Sequence, residues 1–243
     1  MQVVAWLSTA LALLDVALAG APPPVSPERN TVLLVHGIYS SSRDLRRLAD
    51  HLRREGHQVQ LIDLNPNCGR AGIDTLARQL ASYIEEHVAA PKFDLVGFSM
   101  GGLVSRYYVQ RLGGLKRVNH LVTLAAPHHG TIMAGFNRLP GVLDMRRDSQ
   151  LLQDLSRDVD CLQQVRFTSI YTPLDLMIVP AHSSVMPQAE NIRIWALMHP
   201  SLILEKRCLR AVSAVLRSDG ILRKKPAITR AAARRTPKMP HRA

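Results

Sequence analysis

Along this chain, short runs of β-branched and other apolar residues alternate with segments whose apolar positions recur every three or four residues. Thr31-Val-Leu-Leu-Val-His36 is apolar between its ends, which predicts a strand covered on both faces. Leu45, Leu48, Ala49 and Leu52 then share one helical face, and Gly56 closes that segment. Gln58 to Leu64 reads as a second strand ended by the turn Asn65-Pro66-Asn67, and Ile73, Leu76, Ala77, Leu80, Ile84 and Val88 keep one stripe until Pro91. Phe93 to Phe98 predicts a strand, Met100 to Leu112 a helix broken by Gly113-Gly114, and Val118 to Leu124 another strand. Residues 125–164 interrupt the rhythm, with one helix suggested around Leu151, Leu152 and Leu155. Strands resume at Arg166 to Tyr171 and Asn191 to Leu197, and Ser201 to Leu216 supplies a last helix with Leu202, Leu209, Val212 and Leu216 as its stripe. The alternation predicts an α/β class, with a mostly parallel central sheet and helices on both faces.

The length of 243 residues suits one such domain, over about residues 28–220, with short extensions. Apolar residues make up 47% against 21% charged, a globular balance. The formal charge of +12 points toward nucleic acid or membrane until its location is considered. Residues 221–243 hold eight basic side chains and no acid, which leaves +4 on the first 220. That basic tail, with Pro226, Pro237 and Pro240, reads as disordered: a solvated charge run or an electrostatic tether to an anionic membrane surface. No specific nucleic-acid partner is expected of the domain.

At the other end, Val3 to Ala19 is apolar except for Ser8, Thr9 and Asp15, and Ala17-Leu18-Ala19 before Gly20 is a small-x-small cleavage pattern. Residues 1–20 read as a signal peptide or a membrane anchor. Lys and Arg are absent ahead of the apolar run, a departure from the signal-peptide pattern, and as a helix its seventeen residues would span roughly 26 Å. A cleaved segment implies a secreted or periplasmic protein, a retained one a membrane-anchored protein. Export would permit one disulfide among Cys68, Cys161 and Cys208, with Cys161–Cys208 as the pair and buried free thiols as the alternative; the spacing gives no CxxC metal or redox motif.

Chemistry enters at Gly97-Phe98-Ser99-Met100-Gly101, a G-x-S-x-G sequence with a predicted strand before it and a helix after it. A strand-to-helix turn that tight holds its serine in a strained conformation and brings backbone close at positions 97 and 101, where a Cβ would not fit. It lifts the Ser99 hydroxyl clear of the sheet over a helix N-terminus, which favours developing negative charge. A phosphate-binding glycine turn is the rival, but the P-loop lysine and the dinucleotide spacing are missing. An oxyanion needs aimed donors, and the amides of Met100 and of Ile38, on the loop His36-Gly37-Ile38, are placed to supply them; His36 is then structural.

Val-His36-Gly37-Ile38, the Gly-Phe-Ser99-Met-Gly-Gly elbow, Ala126-Pro127-His128-His129-Gly130-Thr131 and Tyr171-Thr-Pro-Leu-Asp175 together resemble bacterial lipases and esterases of the α/β-hydrolase superfamily, over about residues 31 to 216. The resemblance implies carboxylic-ester hydrolysis through a Ser-Asp-His triad, oxyanion donors at Ile38 and Met100, the acid at Asp175 and the base at His199, with no cofactor. The chain order Ser, acid, His agrees. His199 follows the predicted strand Asn191 to Leu197, at the sheet edge where the elbow emerges, and Asp175 follows Arg166 to Tyr171 at the same edge. His182 is the rival base. His120 begins a strand and belongs to the opposite edge, while His128 and His129 line the pocket or, with less support, bind a metal. Asp144, Asp148, Asp154, Asp158 and Asp160 read as a solvated face. An acyltransferase on the same triad and a catalytically silent lipid-binding module are the alternatives. Residues 125–164 are too few for a large lid domain, so the expected substrate is an ester or lipid at a rather open, apolar-rimmed pocket.

Overall fold

The computed structural model describes residues 30–218; the segments read as a signal peptide or anchor and as a basic tail lie outside the described residues. Among the described residues there are six strands: β1 (Val32–Val35), β2 (Val59–Ile62), β3 (Phe93–Phe98), β4 (Val118–Leu124), β5 (Arg166–Tyr171) and β6 (Glu190–Arg193). They form one sheet in the order β2-β1-β3-β4-β5-β6, every adjacent pair parallel. Five longer helices accompany it: α1 (Arg46–Arg54), α2 (Ile73–His87), α3 (Met100–Arg111), α4 (Gln150–Arg157) and α5 (Lys206–Arg217). Among the described residues, no helix is long and apolar enough to cross a membrane.

The period-2 alternation of the strands explains two separate cores. Leu33, Val35, Phe93, Leu95 and Leu121 point to one face, where Ile73, Leu76, Leu80 and Ile84 of α2 and Leu103 and Val104 of α3 meet them. Val32, Leu34, Val96, Phe98, Val122 and Leu124 point to the other and pack on Leu48 and Leu52 of α1 and Leu209, Val212 and Leu216 of α5. Covering both faces is what made β1 an uninterrupted apolar run. Each such side chain contributes about 1.5–3 kcal/mol on burial, so the two cores carry the bulk of the fold's stability. The strand order reverses between β1 and β3, and an open parallel sheet collects ligands at that reversal, beyond the C-terminal strand ends.

Several expectations are corrected. The strand expected over Asn191–Leu197 leaves the ladder after Arg193, because its neighbour β5 ends at Tyr171 and Pro173 offers no N–H to continue it. The last helix does not begin at Ser201. His199–Leu204 forms a 3₁₀ turn, Glu205 is extended, and α5 starts at Lys206. A continuous helix would have placed Glu205 and Lys206 on the same face as the buried Leu202, and the break turns both away from the core. Cys161 and Cys208 are free thiols on opposite faces of the sheet, so the disulfide between them does not form. Burial pushes the Cys208 thiol up to about 12.

Residues 125–164 fold into α4, a helical turn at Pro140–Leu143 and two 3₁₀ segments. The aspartates there are not simply a solvated face. Asp154 and Asp158 each lie 2.8 Å from the Arg111 guanidinium at the end of α3, and Asp144 accepts the Ile73 amide at 2.8 Å, closing the N-terminus of α2. Arg106 of α3 is fully buried and donates to the His128 and Leu155 carbonyls at 3.1 and 2.8 Å, which fixes this segment to the helix that follows Ser99.

Candidate active site

Ser99 occupies the turn between β3 and α3 with φ 53° and ψ −122°, a left-handed conformation that a side-chain-bearing residue adopts only under constraint. The constraint is visible around it. Its amide donates to Leu124 O at 2.8 Å. A Cβ on Gly97 would run into the carbonyl of Gly101, and one on Gly101 into the carbonyls of His36 and Val35. The steric expectation at both positions therefore holds. A third glycine belongs to the same device, since a Cβ on Gly102 would strike Ala126. A Cβ on Gly37 would stand 3.0 Å from that of Ser99, so the loop after β1 runs directly alongside the serine.

On that loop His36 is buried, accepts the Leu64 amide at Nε2 (3.0 Å) and donates from Nδ1 to Gly37 O (2.8 Å), which locks the turn. Ile38 follows, with no acceptor for its amide among the described residues. Met100 is the first residue of α3, where an amide has no intrahelical acceptor. Two free N–H groups thus flank Ser99 from two different strand ends.

Asp175 and His199 come together from the ends of β5 and β6. His199 Nδ1 lies 2.7 Å from Asp175 Oδ2, both side chains buried. The other carboxylate oxygen accepts the amides of Met177 (2.9 Å) and Ile178 (2.8 Å), so the aspartate is held by three donors and cannot swing. With Nδ1–H donating to the carboxylate, Nε2 carries the lone pair, and this nitrogen is buried without a hydrogen-bond partner. The imidazole packs on the ring of Phe98, centroids 4.9 Å apart, which places it beside Ser99.

The remaining histidines separate cleanly. His182 is exposed on the 3₁₀ segment Ala181–Ser184. His120 bonds to Asp94 at the opposite sheet edge. His128 is fully buried at 2.9 Å from Thr123 Oγ1, and burial, with Arg106 and His129 adding to it, holds its pKa well below the ordinary histidine value. His129 is held down in the same way by burial. Both border a surface groove of about 700 Å³ against α4, lined also by Arg147 and Leu152. Among the described residues, no His, Cys, Asp and Glu side chains group as a metal site would.

Sequence reasoning missed how the rim is populated. The exposed large apolar side chains among the described residues are Tyr39 after β1, Ile132, Met133 and Phe136 after β4, Leu174, Leu176 and Met177 after β5, then Trp195, Leu197, Met198 and Leu204 after β6. All lie on connections that leave the C-terminal ends of strands, the side of the sheet from which Ser99 also emerges. The signal was present in residues 194–204, where no Asp, Glu, Lys or Arg occurs although alternate residues are exposed.

A family model described as the alpha/beta hydrolase fold matches residues 30–160. Over 153 residues the chain is 28% identical to a triacylglycerol lipase of Burkholderia plantarii, covering 56% of this chain and 42% of that one. It is 30% identical over 133 residues to the lysosomal thioesterase PPT2 of Rattus norvegicus, covering 52% and 43%. The matches thus span less than half the length of these curated relatives. Among solved structures, the mature Bacillus licheniformis lipase BlEst2 superposes with a TM-score of 0.69 at 18% identity, over 81% of this chain and 96% of that one. A thioesterase domain from the curacin biosynthetic pathway superposes with a TM-score of 0.55 at 17% identity, over 79% and 92%.

Proposed function

The chain belongs to the alpha/beta hydrolase fold family, and from that premise we propose that it is a serine hydrolase cleaving carboxylic esters of lipid-like acids through an acyl-enzyme on Ser99. One observation carries the reading: a buried Asp175–His199 bond of 2.7 Å leaves an unpartnered Nε2 against Phe98, next to a serine held at φ 53°.

Ser99 Oγ attacks the ester carbonyl while its proton passes to His199 Nε2. The carbonyl electrons move onto oxygen, where the Ile38 and Met100 amides stabilise the charge; one such donor is worth about 10²–10³-fold in rate. Collapse expels the alcohol, which takes the proton from Nε2, and a water activated by His199 hydrolyses the acyl-serine. Asp175 holds the tautomer and stabilises the imidazolium. No cofactor is required by this sequence of steps.

The apolar rim supports an acyl group with a long hydrocarbon portion. A thioester is the second reading, supported by the likeness to PPT2 and compatible with the same steps, a thiol leaving in place of the alcohol. The test is labelling with a fluorophosphonate, followed by peptide mapping and turnover of paired oxygen esters and thioesters from short to long acyl chain. Labelling at Ser99 alone, lost in Ser99→Ala together with turnover, is expected. Labelling or turnover that survives Ser99→Ala overturns the reading.

A further inference from the structure

Beyond β5 and β6 the backbone ladder stops, yet the two loops that carry Asp175 and His199 stay in register. The last ladder bond runs from Ile194 N to Tyr171 O at 2.8 Å. Past it, one side chain replaces the missing strand. The Thr172 hydroxyl donates to Ala196 O at 2.8 Å and accepts the Ala196 amide at 3.2 Å and the Leu174 amide at 3.3 Å. A hydroxyl has one proton and two lone pairs, so this one is used in full. Its residue is completely buried.

The far side of the acid loop is held by the same device. The Thr131 hydroxyl donates to Met177 O at 2.8 Å and accepts the Val179 amide at 3.0 Å and the Met133 amide at 3.2 Å. Thr131 is buried as well, and the Ile132 amide adds a bond to Val179 O at 3.0 Å. Asp175 therefore sits between two saturated hydroxyls. One fixes its loop to the segment three residues before His199, the other to the loop that follows β4.

Resting on the hydrolase reading above, we propose that Thr172 and Thr131 are positioning residues for the Asp175–His199 pair: their hydroxyls extend the sheet beyond its last backbone bond and set the acid against the base. Neither needs to touch substrate. Replacing the Thr172 hydroxyl with a methyl leaves the buried Ala196 amide and carbonyl without partners, replacing that of Thr131 does the same to the part-buried Val179 amide and Met177 carbonyl, and the loop must shift to recover them. A displacement near 1 Å costs about 10²-fold in turnover when the group acts in the transition state.

The experiment is steady-state kinetics on the full chain for Thr172→Val, Thr172→Ser, Thr131→Val and Thr131→Ser, each also in the Asp175→Asn background. The valine variants are expected to lose about 10- to 100-fold in kcat with KM within roughly twofold, and the serine variants to recover to within about threefold. In the Asp175→Asn background the valine change should cost nothing more, since there is no acid left to position. Should Thr172→Val fail to accumulate folded, the Thr131 pair decides, because it leaves the Thr172–Ala196 bonds in place. Valine variants with wild-type kcat, serine variants as impaired as valine, or a full additional loss in the Asp175→Asn background would each overturn the proposal. Ser99→Ala run beside them separates the two failures: an active Ser99→Ala sinks the hydrolase reading, whereas an inactive one beside unaffected valine variants sinks only the positioning role.

Discussion

Among the described residues, two buried histidine–aspartate pairs stand one at each edge of the same sheet. At the C-terminal edge His199 Nδ1 lies 2.7 Å from Asp175. At the N-terminal edge His120 Nδ1 lies 2.9 Å from Asp94. In both, the distal Nε2 is buried and unpartnered. What differs is the company. Asp94 Oδ1 also receives the His120 amide at 3.0 Å and the Asn119 side chain at 3.1 Å, while its Oδ2 has no partner at all. Asp175 has both oxygens engaged, and around its histidine are the strained serine, two free amides and the start of α3. The bond between a histidine and a carboxylate is thus not what makes a site. In a parallel sheet, helices begin where strands end, so only one edge offers N-terminal amides and the loops that bring a serine to the ring. The other pair ties β3 to β4.

Breaking each pair tests that distinction. Asp175→Asn keeps nearly the same shape but favours the wrong tautomer of His199, and turnover is expected to fall by about 10⁴-fold, as the equivalent change does in a serine protease, with the circular dichroism spectrum unchanged. Asp94→Asn should leave turnover within several-fold of wild type and instead lower the unfolding free energy by about 1–3 kcal/mol in urea titration, the cost of a disturbed buried bond. A folded Asp94→Asn protein without activity would erase the difference between the two edges.

Another buried histidine, His128, which has no carboxylate beside it, gives the smallest effect and sharpens the contrast. The Ser169 hydroxyl donates to Ser184 O and the Thr123 hydroxyl to Ser169, so Thr123 Oγ1 accepts from His128 Nε2–H. A second proton would have to sit on Nδ1, buried without an acceptor. Burial first, then Arg106 and His129, keep this ring neutral in the fold. Its folded pKa lies below the unfolded value of about 6.5, so stability is complete above that pH and is lost as pH falls, with a slope of up to about 1.4 kcal/mol per unit. Urea titrations at pH 7, 6 and 5 should show this slope, reduced in His128→Gln. An equal slope in the variant would assign the acid sensitivity elsewhere.

The strands buried on both faces were legible because their burial leaves continuous apolar runs, as in Val32 to Val35. The serine turn was legible because two glycines announce crowding that the structure supplies at Gly97 and Gly101, while the close approach at Gly102 emerged only from the fold. That Asp175 and His199 meet at one sheet edge was readable from the strand each follows. What stayed hidden depends on long-range hydrogen bonds with no periodic trace. The strand expected to reach Leu197 stops at Arg193 because Pro173 offers no N–H to continue the ladder, and the Thr172 hydroxyl and an alternation of burial through Ile194 and Ala196 conceal the change. Nothing in the helical pattern around Arg106 marks its burial on carbonyls 22 and 49 residues away. The supposed Cys161–Cys208 pair failed for a similar reason: helical spacing does not say which face of the sheet a helix covers.

Both ends of the described chain meet the sheet on the side away from Ser99. Asn30 leads directly into β1, and the Ser218 carbonyl receives Arg166, the first residue of β5. Strands of four to seven residues put about 13–23 Å of sheet between that side and the mouth. The described chain therefore enters at Asn30 and leaves at Ser218 on the side of the sheet opposite the mouth, so neither of these two points borders the opening.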